Sequence, residues 1–146
     1  SSTCPCSLSM AKQYEEDYKN GKTNSGNGMA VAHSQRSTAT CTITTELTKS
    51  LSVEELLMLM RTAIPTETQS LVKRVDEQAF AILNGENPMF VEHAARRLAL
   101  VLDKEEGSIL DWKFKIEHFE SLHSHNAVAF MQKVHNPNKE ESTKLH

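Results

Sequence analysis

The chain has 146 residues, with 16 basic against 19 acidic side chains and a formal net charge of -3, which is about the size of one domain. This mildly acidic balance excludes a protein that works by neutralising nucleic-acid phosphates, because that needs clustered Lys and Arg and only the pairs Lys73-Arg74 and Arg96-Arg97 occur. No apolar run approaches the ~20 residues needed to cross a bilayer, so no membrane span is expected.

The 38% hydrophobic content is unevenly spread. Residues 1–50 carry sixteen Ser or Thr, three of the five glycines and Ile43 as their only Ile, Phe or Trp. Such a segment has few apolar groups to offset the entropy of ordering, and it is expected to be extended and mostly irregular. Cys4, Cys6 and Cys41 all lie in it. An odd, sparse count is no disulfide framework and points to a reducing, intracellular compartment. Cys4-Pro5-Cys6 could supply two thiolates, but a soft-metal site needs further ligands. A start without Met that is poor in Arg and acid and rich in Ser and Thr suggests a processed, mitochondrial protein.

Within this segment Ser9 can cap a short helix over 10–20 that Gly21 ends. Met10, Tyr14 and Tyr18 then share one face, an anchor for a neighbouring protein. Thr38 to Thr45 has the composition of an edge strand. The organised part starts at Ser52, where Ser52-Val53-Glu54-Glu55 fits a capping box opening a helix over 52–64 that stops before Pro65. Thr66-Glu67-Thr68-Gln69 repeats the pattern before a helix over 68–84, with Gly85 beyond its end. Asn87-Pro88 begins a third helix, 88–105, buried along Phe90, Ala94, Leu98 and Val101.

The apolar residues Trp112, Ile116, Phe119, Ala127, Phe130 and Val134 predict a last helix over 109–135, about 40 Å long. Strict alternation from Leu110 to Ile116 makes a strand the competing reading. Residues 136–146 form a charged tail. Together these elements predict an all-α fold, a three- to four-helix bundle at 51–135 behind a polar segment at 1–50.

Chemistry is harder to find. His118, His123 and His125 are the densest titratable cluster, and Glu120-Ser-Leu-His123 has the Glu-x-x-His spacing of carboxylate metal sites in bundles. No second such motif occurs, and on a helix His123 and His125 would point about 200° apart. Glu120 and His123 are thus the nearest approach to a metal pair, with no catalytic or cofactor residue assigned. Glu92-His93 fits an exposed pair, and no nucleophile elbow or phosphate loop is present. Asp103-Lys-Glu-Glu-Gly-Ser-Ile-Leu-Asp-Trp-Lys-Phe resembles an EF-hand loop, although Gly107 lies four residues after Asp103 and Lys113 falls where that family has its bidentate glutamate. The resemblance implies a small regulatory helix-loop-helix module, and a helical metalloprotein using Glu120, His123 and other bundle carboxylates is a third reading. The leading expectation is instead a non-catalytic accessory subunit of a larger assembly, with no cofactor and no small-molecule substrate. It would touch other subunits through Met10, Tyr14, Tyr18, Trp112 and Phe130.

Overall fold

A computed structural model describes residues 1–105 and 107–134. The predicted tail at 136–146 lies outside them. The fold is mixed α/β, which corrects the all-α expectation. In chain order it runs β1 (Ser2–Thr3), α1 (Pro5–Lys19), β2 (Ser34–Gln35), β3 (Ser37–Thr45), α2 (Val53–Ala63), α3 (Arg74–Glu86), α4 (Val91–Asp103), β4 (Ile109–His118) and β5 (Ala127–Lys133). β3, β4 and β5 form a three-stranded antiparallel sheet with β4 in the middle, and β1 pairs with β2 in a separate antiparallel ribbon.

The predicted last helix is therefore two strands and a connection. In β4 the side chains of Trp112, Phe114, Ile116 and His118 alternate inward while Lys113 faces out, the period-2 pattern of a half-buried strand. A register shift at Thr44/Thr45 leaves Leu110 without a partner, so that Ile109 also turns to the core, as a β-bulge does. Trp112 stacks on Phe114 with ring centroids 5.3 Å apart. It is buried and donates its indole N–H to Asp103 Oδ1 at 3.0 Å, so it serves the core and offers no surface to a partner. Helical spacing beyond Ile116 was fortuitous. Phe119 and His123 belong to the connection, and β5 turns its small Ala127 and Ala129 toward the core while Phe130 stays 72% exposed.

α4 lies across this sheet. Val91, Ala94, Ala95, Leu98, Ala99 and Leu102 form its buried stripe at helical spacing. The three alanines let the helix approach the strands closely. α2 packs on α4 and adds Leu56, Leu59, Met60 and Ala63. Its capping box forms as the residues predict: Ser52 Oγ accepts from Glu55 N–H, and Glu55 Oε2 accepts from Ser52 N–H at 2.7 Å. The second predicted box does not form. Thr66 is instead buried, its Oγ1 donating to Ser1 O at 2.6 Å, and α3 starts eight residues later and runs through Gly85. The 88–105 helix starts late, at Val91. A strand follows it, which removes the second helix of an EF-hand and with it that resemblance's geometry.

The N-terminal fifty residues are also more ordered than expected. Thr38 to Thr45 is indeed an edge strand, paired with β4. The short helix is longer, Pro5–Lys19, with Pro5 at its first turn, where its missing N–H costs nothing. Tyr14 and Tyr18 cover their own chain: Tyr14 Oη donates to Ser25 O and accepts from Gly28 N–H. Gly28 has φ +79°, and a side chain there would collide with the Tyr18 ring. This latch fixes the loop that leads back to β2. Met10 remains exposed.

Candidate active site

β1 and β2 are polar two-residue strands with little intrinsic preference, and tertiary bonds hold them. Ser2 is opposite Gln35 and Thr3 opposite Ser34. Cys4 N–H donates to His33 O at 3.2 Å, so these two residues continue the ribbon side by side. The ribbon is tied to the α3–α4 connection by Met89 N–H to Thr3 O at 3.1 Å and by Ser2 Oγ to Met89 O at 2.8 Å. It is tied to the sheet by Phe119 N–H to Arg36 O at 2.9 Å.

The ribbon, the first turn of α4 and the β4–β5 connection thereby enclose a cavity of about 200 Å³. Cys4, His33, Glu92, His118, Glu120 and His123 line it, and His125 lies beside them. Glu120 Oε1 accepts from Gln35 Nε2 at 3.2 Å, and Ser121 Oγ is 3.4 Å from His33 Nδ1. The rings of His123 and His125 stack at 5.6 Å between centroids. Residues two apart can stack because this segment is a loop, which corrects the divergent orientation expected on a helix.

Glu120 and His123 thus meet further donors carried by distant parts of the chain. Cys4 was visible as half of a Cys-x-Cys pair, and Glu92 as half of Glu92-His93. His33 was missed, since nothing local distinguishes it. Cys6 is exposed, and His93 instead packs its ring on Phe90 at 5.4 Å. Among the described residues, no three His, Cys, Asp or Glu side chains are gathered tightly enough to hold a metal ion.

His118 is the buried member of the group, and it also lines a second cavity of about 220 Å³ against α2. Desolvation lowers its pKa, against the opposing pull of Glu120 and Glu92. An unfolded histidine takes up its proton near pH 6.5, while the folded one does so at lower pH. Over that window the unfolded chain binds more protons, so stability present above about pH 6.5 is lost as pH falls toward the folded value. Denaturant unfolding between pH 8 and 5 is expected to show this loss in the native chain and a flatter profile in His118→Gln. Parallel profiles would mean that His118 is not desolvated.

Comparison with known proteins decides what this arrangement belongs to. The model of the family described as type I GTP cyclohydrolase folE2 matches residues 1–129. The chain belongs to that family. It is 44% identical over 144 residues to GTP cyclohydrolase FolE2 of Pseudoalteromonas atlantica, covering 88% of this chain and 47% of that protein. It is 46% identical over 131 residues to GTP cyclohydrolase FolE2 of Cereibacter sphaeroides, covering 90% of this chain and 34% of the relative. The protein of the same name from Dinoroseobacter shibae is 46% identical over 135 residues, at 90% and 34% coverage. The chain thus spans between a third and a half of the length of these curated relatives.

Family membership overturns the non-catalytic accessory subunit and the regulatory module, because the relatives are enzymes. It overturns the expectation of no small-molecule substrate, since their name makes GTP the compound they act on. The mitochondrial placement falls too, as these relatives are bacterial.

Proposed function

We propose that this chain carries catalytic residues of a GTP cyclohydrolase and that the cavity between ribbon, α4 and β4–β5 connection is where the guanine ring reacts. The convergence of Cys4, His33, Glu92, Glu120 and His123 on one cavity from four separate segments carries this reading. Structural needs alone do not bring five ionisable side chains together at a sheet end. A cyclohydrolase adds water across a ring C–N bond, which calls for an activated water, a proton donor to the leaving nitrogen, and groups that hold the ring.

The donor set fits a divalent transition metal, with the Cys4 thiolate and the His33 and His123 imidazoles as zinc-type ligands and Glu120 as a carboxylate. Such an ion, when bound, would lower the pKa of water and supply the nucleophile. In the present arrangement the donors line a common cavity without closing on a point. Glu92 then remains for the substrate. Guanine presents two adjacent N–H donors on one edge, and a carboxylate can accept both in parallel. His118, buried and with its pKa lowered by desolvation, also lines this cavity and can exchange a proton there.

The test is incubation of the chain with GTP and zinc, following conversion to a product that keeps its triphosphate. Turnover that stops on chelation and returns with added zinc is the expected result. Release of phosphate with the purine intact would contradict this reading.

A further inference from the structure

Gln35 stands where the ribbon meets the β4–β5 connection, and none of the roles above uses its side chain. It is 6% exposed and lines the cavity. Its Nε2 donates to Glu120 Oε1 at 3.2 Å. An ionised carboxylate can only accept, so this bond fixes which end of the amide faces Glu120. The carbonyl Oε1 is turned elsewhere, buried and without a hydrogen-bond partner among the described residues. An unmade buried acceptor costs about 1–3 kcal/mol.

The backbone around Gln35 is held from both sides. Gln35 pairs with Ser2 across the ribbon, and the next residue, Arg36, accepts from Phe119 N–H at 2.9 Å, directly before Glu120. Its side chain is therefore a strut between a fixed strand and a carboxylate on a loop. Ser121 Oγ, 3.4 Å from His33 Nδ1, makes a parallel link one residue on.

We propose that Gln35 is a positioning residue that sets the Glu120 carboxylate for cation binding. This role rests on Glu120 being a cation ligand, as read above. Partners that orient a metal ligand typically contribute 10- to 100-fold in affinity. The test is titration with Co²⁺ alone, read by absorbance and calorimetry, on the native chain, Gln35→Met, Glu120→Gln and the double variant. Each single change is expected to weaken Co²⁺ binding by about 10- to 100-fold, and the double variant to bind within about twofold of Glu120→Gln. A merely structural effect of Gln35 would add to that of Glu120, so additive losses would overturn the proposal, as would native affinity in Gln35→Met. Native affinity in Glu120→Gln would remove the cation reading itself and the role of Gln35 with it. Gln35→Asn keeps the amide but draws it back by one methylene, so it should show the same loss even if the methionine variant does not fold.

Discussion

Leu98→Ala is expected to destabilise the fold by about 3–5 kcal/mol, the cost of truncating a fully buried leucine whose surroundings cannot collapse into the space. Leu98 is 0% exposed and sits at the middle of the α4 stripe, where α2, α4 and the sheet meet. Its neighbours Ala94, Ala95 and Ala99 are too small to fill the gap. A domain of this size commonly has about 5–15 kcal/mol of stability in all, so the variant should melt roughly 10 °C lower or fail to accumulate. Leu100→Ala on the same helix is the control. That side chain is 62% exposed, and its loss should stay within about 0.5 kcal/mol. Equal melting temperatures for the two variants would mean that the core is not where the fold places it.

The helical part of this core was legible because it is written locally. Ser52 and Glu55 announce α2 within four residues, and α4 shows its stripe over three turns, with Ala94 and Leu98 correctly placed. β4 was visible too, in the alternation from Leu110 to Ile116, but a coincidental spacing through Phe119 and His123 outweighed it. Hydrophobic period alone could not decide, since β5 buries alanines and exposes Phe130. The outward side chains of β4 held the better signal, because Lys113, Lys115 and Glu117 alternate with its apolar residues.

The site was less legible than the fold, for a physical reason. Its donors are joined by contacts between residues far apart in the chain, such as Cys4 with His33 and Gln35 with Glu120. The two-residue strands that create these contacts have no periodicity to read. Glu120-Ser-Leu-His123 has a recognisable spacing, but residues 119–126 form a connection between strands and not the helix on which that spacing would align the two side chains. In a loop the same four residues can present both side chains to one cavity, which Cys4 of the Cys4-Pro5-Cys6 motif also lines.

With the cavity as the proposed reaction site and Glu120 and His123 as its proposed ligands, Glu120→Gln and His123→Ala are expected to lower GTP turnover by at least about 100-fold, because a direct ligand should matter no less than the outer partners whose loss costs up to that much. Both residues lie in a connection with few buried contacts, so neither change should move the melting temperature by more than a few degrees. The two effects should fall short of additive, as residues that serve one ion act as a unit. Raising the Zn²⁺ concentration should recover part of the turnover in each single variant, since weaker binding is offset by mass action. Leu100→Ala, assayed alongside, should keep native turnover. Native rates in both ligand variants would move the chemistry out of this cavity. Lost turnover that Zn²⁺ cannot restore, with unchanged Zn²⁺ affinity, would instead make Glu120 and His123 acid–base groups acting on the substrate.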